Sequence, residues 1–452
     1  MSGGVTPAPD RRPHVVIVGG GFAGLTTARR LAGMPVRVTL VDQRNHHLFQ
    51  PLLYQVATAV LNAADIASPL RSILRRATNV TVLLGRAERV DLPHRRLILS
   101  DGELPYDALV LAIGAGHSYF GHDEWEALAP GLKTLEDALE IRRRVLLAYE
   151  KAERETDPAE RTALLTFVVI GGGATGVELA GALGEISRQT IARDFRSIDP
   201  TRARILLLEG GPRILAAYPE ALSARAADVL RRIGVEVRVG ANVTQVSPDA
   251  VWLGGEQIRA RTVLWAAGVA APPLTRTLGV ALDRAGRIVV EPDCSVPGHS
   301  EVFAIGDVAS WRGGSDGQAL PGVAPVAIQQ GRAVAANLLR RFRGEATKPF
   351  RYRDKGSMAT IGRAAAVAVI GRLQFDGVIA WLVWLFVHIM YLIGFRNRVM
   401  VLLGWAWAYV TWSRGARLIT GPWRPRTAET AAAAHARADP EGEAERSAPG
   451  AD

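Results

Sequence analysis

An α/β fold with two Rossmann-like βαβ units and an apolar helical C-terminus is what this sequence predicts, and three observations predict it. Two glycine-rich turns, Gly19-Gly20-Gly21-Phe22-Ala23-Gly24 and Gly171-Gly172-Gly173-Ala174-Thr175-Gly176, each follow a β-branched run and each open an Ala/Leu-rich stretch. Each half continues to an apolar strand ending in small residues, at Gly114 in the first and Gly268 in the second. From Val378 the composition turns almost wholly apolar.

The first unit reads strand, turn, helix, strand. Val16-Ile17-Val18 leads into a G-x-G-x-x-G pattern at Gly19, Gly21 and Gly24. Glycines there bring backbone N–H groups, including those of Phe22 and Ala23, against a pyrophosphate, and the helix N-terminus adds partial positive charge. The next strand ends at Asp42, 18 residues past Gly24, with Gln43 beside it. A carboxylate at that position accepts hydrogen bonds from an adenosine ribose. Leu109-Val110-Leu111 then runs to Gly114-Ala115, small enough for backbone to pass close to a flat cofactor.

The second unit repeats this plan with Gly171, Gly173 and Gly176. Its acid is Glu209, 33 residues past Gly176, and an insertion around 188–200 takes up the extra length. Val263-Leu264-Trp265 runs to Gly268. One such turn is weak evidence of a ligand. Two in this context imply two dinucleotides and electron transfer between them. Val302-Phe303-Ala304-Ile305 leads to Gly306-Asp307, and 327–342 reads as a helix.

Composition narrows the class. The net charge of +10 is carried by arginine, the lysines being Lys133, Lys151, Lys348 and Lys355. No base-reading motif accompanies it, so an anionic membrane surface is the better partner than nucleic acid. Hydrophobic content of 48% and a mean hydropathy of +0.10 are high for a purely soluble enzyme. Cys294 is the one cysteine, which excludes an intrachain disulfide and a cysteine-rich metal site. Residues 1–13 contain no apolar signal-like run, so the catalytic part is expected at the cytoplasmic face.

These residues resemble the flavin-dependent type II NADH:quinone dehydrogenases, within the two-dinucleotide, disulfide-reductase-like flavoproteins. The resemblance covers roughly residues 14 to 420. It rests on both glycine turns, Ala304-Ile305-Gly306-Asp307, Phe49-Gln50-Pro51-Leu52-Leu53-Tyr54-Gln55-Val56-Ala57, Thr175-Gly176-Val177-Glu178-Leu179-Ala180-Gly181, Ala327-Ile328-Gln329 and the Trp/Arg-rich C-terminus. It implies FAD in a split first domain (14–120 and 295–345), NADH in an inserted second domain (121–294) and a C-terminal membrane-associated helical region (346–420). A flexible leader (1–13) and a disordered tail (421–452) flank these.

By the same resemblance, FAD is held by Gly19, Gly21, Phe22, Ala23, Gly24, Asp42, Gln43, Gly114 and Asp307. NADH is held by Gly171, Gly173, Gly176, Glu209 and Gly268. Glu209 would repel a 2′-phosphate, which favours NADH over NADPH, although Arg213 is near in sequence. Glu178 and Gln329 resemble the catalytic acid and the quinone-pocket glutamine, with Gln55 and Ala327 also near the quinone. No dithiol lies in 45–64, so electrons are expected to pass from NADH through the flavin to an external acceptor. That acceptor is a membrane quinone, ubiquinone or menaquinone, and no metal is expected. The alternatives are a flavin-linked NADH reductase of a soluble protein acceptor, and a slow NADH-sensing flavoprotein.

Blander readings stand beside several of these. Glu178 in the first turn would favour the helix dipole, and Gln329 would be a polar residue near a helix start. His46 and His47, adjacent in a strand, point to opposite faces. His388 reads as a packed or interfacial histidine, Cys294 as a plain thiol, and Arg142–Arg144 as a solvated helix face. Gln55 and Tyr54 suit packing as well as a site.

The apolar run 378–395 has 18 residues, interrupted by Arg396-Asn397-Arg398 before a second run, 399–412. Five of ten tryptophans (Trp381, Trp384, Trp405, Trp407, Trp412) fall here with Tyr391 and Tyr409. With Arg396, Arg398, Arg414 and Arg417 they suit helices lying in the membrane interface above anionic lipid. A homodimer interface and a spanning helix are the alternatives.

Overall fold

The computed structural model describes residues 12–314, 317–411 and 416–420. The expected leader and tail fall outside these, Arg12 and Pro13 excepted, as do Trp412 and Arg414. The side chain of Tyr409 also lies outside.

The first glycine turn rises from a six-stranded sheet, in the order Ser295–Val296, His299–Ala304, Ala108–Leu111, His14–Val18, Arg37–Asp42, Val80–Leu84. Neighbours run parallel except the first pair. Every residue of His14–Val18 is buried, as befits a parallel strand covered on both faces. Val15 and Ile17 pack against the helices Phe22–Leu31 and Ala324–Phe342. Val16 and Val18 pack the opposite way, onto Val90, Leu97 and Leu274. Burying side chains of this size is worth roughly 1.5–3 kcal/mol each.

The second turn crowns a parallel sheet ordered Val235–Val239, Arg204–Glu209, Thr166–Ile170, Thr262–Trp265. The chain crosses between the two units where Gly116–His117 pairs with Val269–Ala270. The second unit does not extend to 294 in its packing. Leu274, Leu278 and Ile288 join the core under the first sheet, and Ile288–Val289 pairs with Ala309–Ser310. Nothing in the local pattern of 270–294 distinguishes the two cores, so this boundary depends on contacts.

The C-terminal region is not wholly helical. It opens with an antiparallel meander, Ser357–Gly362, Ala365–Ile370 and Leu373–Asp376. The meander lies on the helix Ala174–Glu185 so closely that a Cβ on Gly181 would collide with the Ile361 carbonyl. Two helices follow, Gly377–Tyr391 and Phe395–Thr411. The break falls at 392–394, with Gly394 at φ 91°, so the 378–395 run is not one helix. Arg396-Asn397-Arg398 opens the second helix rather than separating two. Asn397 is buried there, donating to the Ala67 carbonyl at 3.3 Å and Ser68 Oγ at 3.2 Å. Among the described residues no helix is long and apolar enough to cross a membrane.

Arg142 corrects another expectation. On the helix Leu135–Arg154 it shares a face with Ala138, Val145 and Tyr149 and is buried, whereas Arg143 and Arg144 both pair with Glu140 at 2.7 Å.

Candidate active site

Each glycine turn leaves a cradle open above a helix start. At the first, a Cβ on Gly19 would strike the Ala112 carbonyl and one on Gly24 would strike Gly19. Glycine is therefore required for the turn to close. Gly21 and Gly114 instead face open space, with nothing within 4 Å of such a Cβ. Gly21 caps the helix without a side-chain hydrogen bond, and no acid stands in the first turn. Positive potential and unpaired N–H groups are thus left for an anionic ligand. Asp42 accepts from Gly20 N at 2.5 Å and Arg44 N at 2.7 Å, which fixes a carboxylate at the strand end beside Gln43.

The second turn duplicates this chemistry. A Cβ on Gly171 would meet the Ala266 carbonyl at 2.6 Å, and Gly173 caps its helix with no acid in the first turn. Gly176 is packed against Gly171 in the same way as Gly24 against Gly19. Glu209 accepts from Gly172 N and Gly211 N, both at 2.6 Å. Arg213 does not offset that charge. Its guanidinium donates to the carbonyls of Tyr218 at 2.7 Å and Ala216 at 2.8 Å. His117, Lys133, Thr175, Trp265 and Gly268 border a crevice beside this turn. The residues present fit two dinucleotides, one at each cradle.

The Gly306–Val308 turn carries Asp307 and packs onto the first cradle. Gly306 N donates to Gln330 Oε1 at 2.7 Å, and Gly331 lets one helix approach Ala23 of the other, where a Cβ would lie 2.6 Å from the Ala23 carbonyl. His47, buried, bonds through Nδ1 to the Gly20 carbonyl at 2.9 Å, while His46 turns to Asn45. Cys294 is buried, with its thiol pKa pushed up by burial.

A separate cleft of about 690 Å³ of empty space, counting what opens to solvent, lies between the second unit and the C-terminal region. Glu178, Ala182, Glu185 and Thr190 form one wall; Thr360, Gly362 and Arg363 of the meander form another. Trp381, Trp384 and Trp405 come from the C-terminal helices, and Tyr54, Gln55 and Val60 from the first unit. Four separated stretches of sequence therefore build it.

Glu178 is not at the helix start. Ala174 begins the helix and its first turn contains no acid, so Glu178 sits in the second turn and the dipole reading fails. It is partly buried and borders the cleft. Burial pushes its pKa up to about 8, opposed by a long bond from Thr360 N at 3.4 Å.

Gln55 donates to Tyr54 Oη at 2.9 Å and accepts from Trp405 Nε1 at 2.6 Å. Ala327 and Gln329 do not border this cleft. Ala327 packs near Gly306, and Gln329 makes two bonds to the Arg353 backbone, at 2.9 and 3.0 Å. Pro325 occupies the start of their helix, a position proline suits. His388 is a packed histidine. Its ring stacks on Trp384 at 4.3 Å, Nδ1 donates to the Trp384 carbonyl at 2.7 Å, and burial lowers its pKa to about 4.

Sequence reasoning missed Thr360, Arg363 and Trp384 as cleft residues, and Gln330 as the brace of Gly306. The tryptophan cluster was visible, yet no periodicity says which indoles face a cleft rather than lipid.

Comparison with known proteins matches this geometry. Residues 13–331 match the pyridine nucleotide-disulphide oxidoreductase family, and 355–411 match the NDH2 C-terminal domain. A type II NADH:quinone oxidoreductase of Mycobacterium tuberculosis is 44% identical over 431 residues, covering 92% of each chain. A demethylphylloquinone reductase of Synechocystis is 30% identical, over 88% of this chain and 96% of that one. The solved structure of Plasmodium falciparum NDH2 in complex with NADH has the same fold, with a TM-score of 0.83 at 18% identity, over 91% of this chain and 100% of that one.

Proposed function

This chain belongs to the pyridine nucleotide-disulphide oxidoreductase family and, within it, to the type II NADH:quinone oxidoreductases, and we propose from that premise how its residues divide the work. The protein is a flavoprotein that oxidises NADH and reduces a quinone. FAD, when bound, supplies the redox chemistry, accepting hydride equivalents from NADH and passing two electrons to the quinone.

The chain's own residues bind, orient and manage protons. Gly19, Gly21 and Gly24 with Asp42 would hold the adenosine diphosphate of FAD, supported by Phe22, Ala23, Gln43 and Gly114, with Asp307 at the adjoining Gly306–Val308 turn. Gly171, Gly173, Gly176 and Gly268 hold NADH, and Glu209 accepts from the adenosine ribose. Arg213 is committed to carbonyls and is withheld from a 2′-phosphate, which supports NADH as the substrate.

The quinone enters the cleft lined by Glu178. The carrying observation is that the Glu178 carboxyl, its pKa raised by burial, lines a tryptophan-rich cleft built jointly by the helix Ala174–Glu185 and the C-terminal helices. Reduction to the quinol consumes two protons, and Glu178 delivers one of them. Gln55 lines this cleft and orients Tyr54 and Trp405.

The C-terminal helices expose Ile379, Leu382, Phe386, Phe395, Trp407 and Val410, a cluster of large apolar side chains of the kind that marks a membrane or protein interaction surface. We assign this surface to a membrane, on its cytoplasmic face, with the helices lying in the interface. Of the arginines expected at anionic headgroups, Arg396 stands exposed. Arg398 instead bonds the Leu392 and Met390 carbonyls, and Arg417 pairs with Asp194.

Stopped-flow flavin absorbance tests the reading. NADH should bleach the flavin under anaerobic conditions, and a ubiquinone or menaquinone analogue should restore it. Bleaching with no recovery from any quinone would replace the quinone by a soluble protein acceptor.

A further inference from the structure

A tryptophan bordering the cleft carries a hydrogen-bond donor without a partner. Trp384 borders the cleft, is only 2% exposed, and its indole Nε1 is shielded from solvent with no partner among the described residues. Three other buried indoles find partners. Trp265 donates to the Ser118 carbonyl at 2.9 Å, Trp311 to the Pro292 carbonyl at 3.1 Å, and Trp405 to Gln55 Oε1 at 2.6 Å. Buried donors are almost always paired, and an orphan calls for an explanation.

Trp384 cannot readily turn to find a partner. Its ring stacks on His388 at 4.3 Å and leans on Trp405 at 5.4 Å. His388 is itself tied to the Trp384 carbonyl and meets Phe49 edge-on at 6.1 Å. Trp405 is fixed by Gln55. The donor is therefore rigid and pre-positioned, as an acceptor-binding group should be. The rest of the cleft asks for a flat, largely apolar ligand, since Val60, Ala182 and Trp381 line it alongside Glu178.

We propose that Trp384 donates its indole N–H to a carbonyl oxygen of the quinone headgroup, supplying the partner that the protein itself does not provide. This rests on the quinone occupying the Glu178 cleft. Trp384 then fixes one carbonyl and leaves the other to the Glu178 carboxyl in the same cleft. Because the bond strengthens as negative charge builds on that oxygen, it assists reduction as well as binding.

The test uses the holoenzyme in detergent, with a short-chain benzoquinone and menadione as probes. Trp384→Phe keeps an aromatic ring against His388 and Trp405 but removes the N–H. The quinone KM should rise about tenfold, the scale of a hydrogen bond, while anaerobic flavin bleaching by NADH stays unchanged. In ¹⁵N-indole-labelled wild-type protein, the Trp384 N–H resonance should move downfield when the benzoquinone is added, and this reading needs no variant to fold.

Val60→Trp, which fills the cleft, separates the two ideas. If Val60→Trp raises the quinone KM while Trp384→Phe leaves it alone and the indole resonance stays put, the donor role is overturned and the cleft reading survives. If Val60→Trp has no effect, the quinone binds elsewhere and both fall.

Discussion

Trp405 donates its indole N–H to Gln55 Oε1 at 2.6 Å, joining residues 350 positions apart in sequence. Gln55 in turn donates to Tyr54 Oη. One amide thus fastens a C-terminal helix to the first unit at the rim of the cleft. Gln55→Leu should strand the Trp405 donor and lower stability by about 1–3 kcal/mol. We expect the quinone KM to rise while the rate of flavin reduction by NADH holds. Denaturant titration and stopped-flow absorbance measure these separately, and unchanged stability would mean the contact is not maintained in solution.

Glu178 makes stability and turnover depend on pH. Its pKa rises from an ordinary 4.5 to about 8 on folding. The stabilisation linked to its proton is therefore fully present below about pH 4.5 and is lost progressively as pH rises through about 8. Wild-type Tm should fall across that window more than the Tm of Glu178→Gln. Quinone reduction by the wild type should decline above about pH 8, as the proton donor empties. Parallel Tm curves for the two proteins would show that the carboxyl is ionised already at neutral pH.

Selection of the nicotinamide substrate is expected to lie with Glu209. Glu209→Gln retains an acceptor for the turn but loses the charge that repels a 2′-phosphate. The ratio of kcat/KM for NADH over NADPH should fall by roughly tenfold, the equivalent of ~1.4 kcal/mol. Arg213→Ala, whose guanidinium is already spent on carbonyls, should leave that ratio alone. An unchanged ratio in Glu209→Gln would move discrimination elsewhere.

Seating of the meander depends on Gly181. A side chain there meets the Ile361 carbonyl, so Gly181→Val should push the meander off its helix, with overpacking worth about 1–3 kcal/mol. Quinone reduction should suffer more than flavin reduction by NADH, because Thr360 and Gly362 form the cleft wall. A variant of full stability and activity would contradict this packing.

Membrane attachment is tested by Leu382 and Phe386, four residues apart on one helix and 53% and 65% exposed. The double variant Leu382→Glu/Phe386→Glu should lose co-sedimentation with anionic vesicles, while still reducing a water-soluble quinone in detergent. Retained binding to vesicles would relocate the membrane-facing surface.

Much of this architecture was legible as local pattern. The glycine turns, the carboxylates Asp42 and Glu209, and the strand endings at Gly114 and Gly268 follow from spacing that a short stretch of chain enforces. The apolar C-terminus was equally plain, but its break at Gly394 rather than at Arg396 was not. A helix start tolerates arginine, and the buried bonds of Asn397 are made to residues far away in sequence. Arg142 was misread for the same reason: three consecutive arginines look alike until a neighbouring element covers one of them. Gln329 matched a motif, yet the Arg353 backbone claims its amide.

The sequence by itself determined where two dinucleotides can be held, because a glycine turn, a helix start and a strand-end acid lie within one continuous segment. Only the tertiary structure assembles the cleft proposed for the quinone. Glu178, Thr360, Trp384 and Gln55 meet because the meander seats on Gly181 and draws the C-terminal helices across the NADH-side helix. Burial in that assembly, which no residue carries in its own chemistry, raises the pKa of Glu178 and leaves the Trp384 indole N–H without a partner among the described residues.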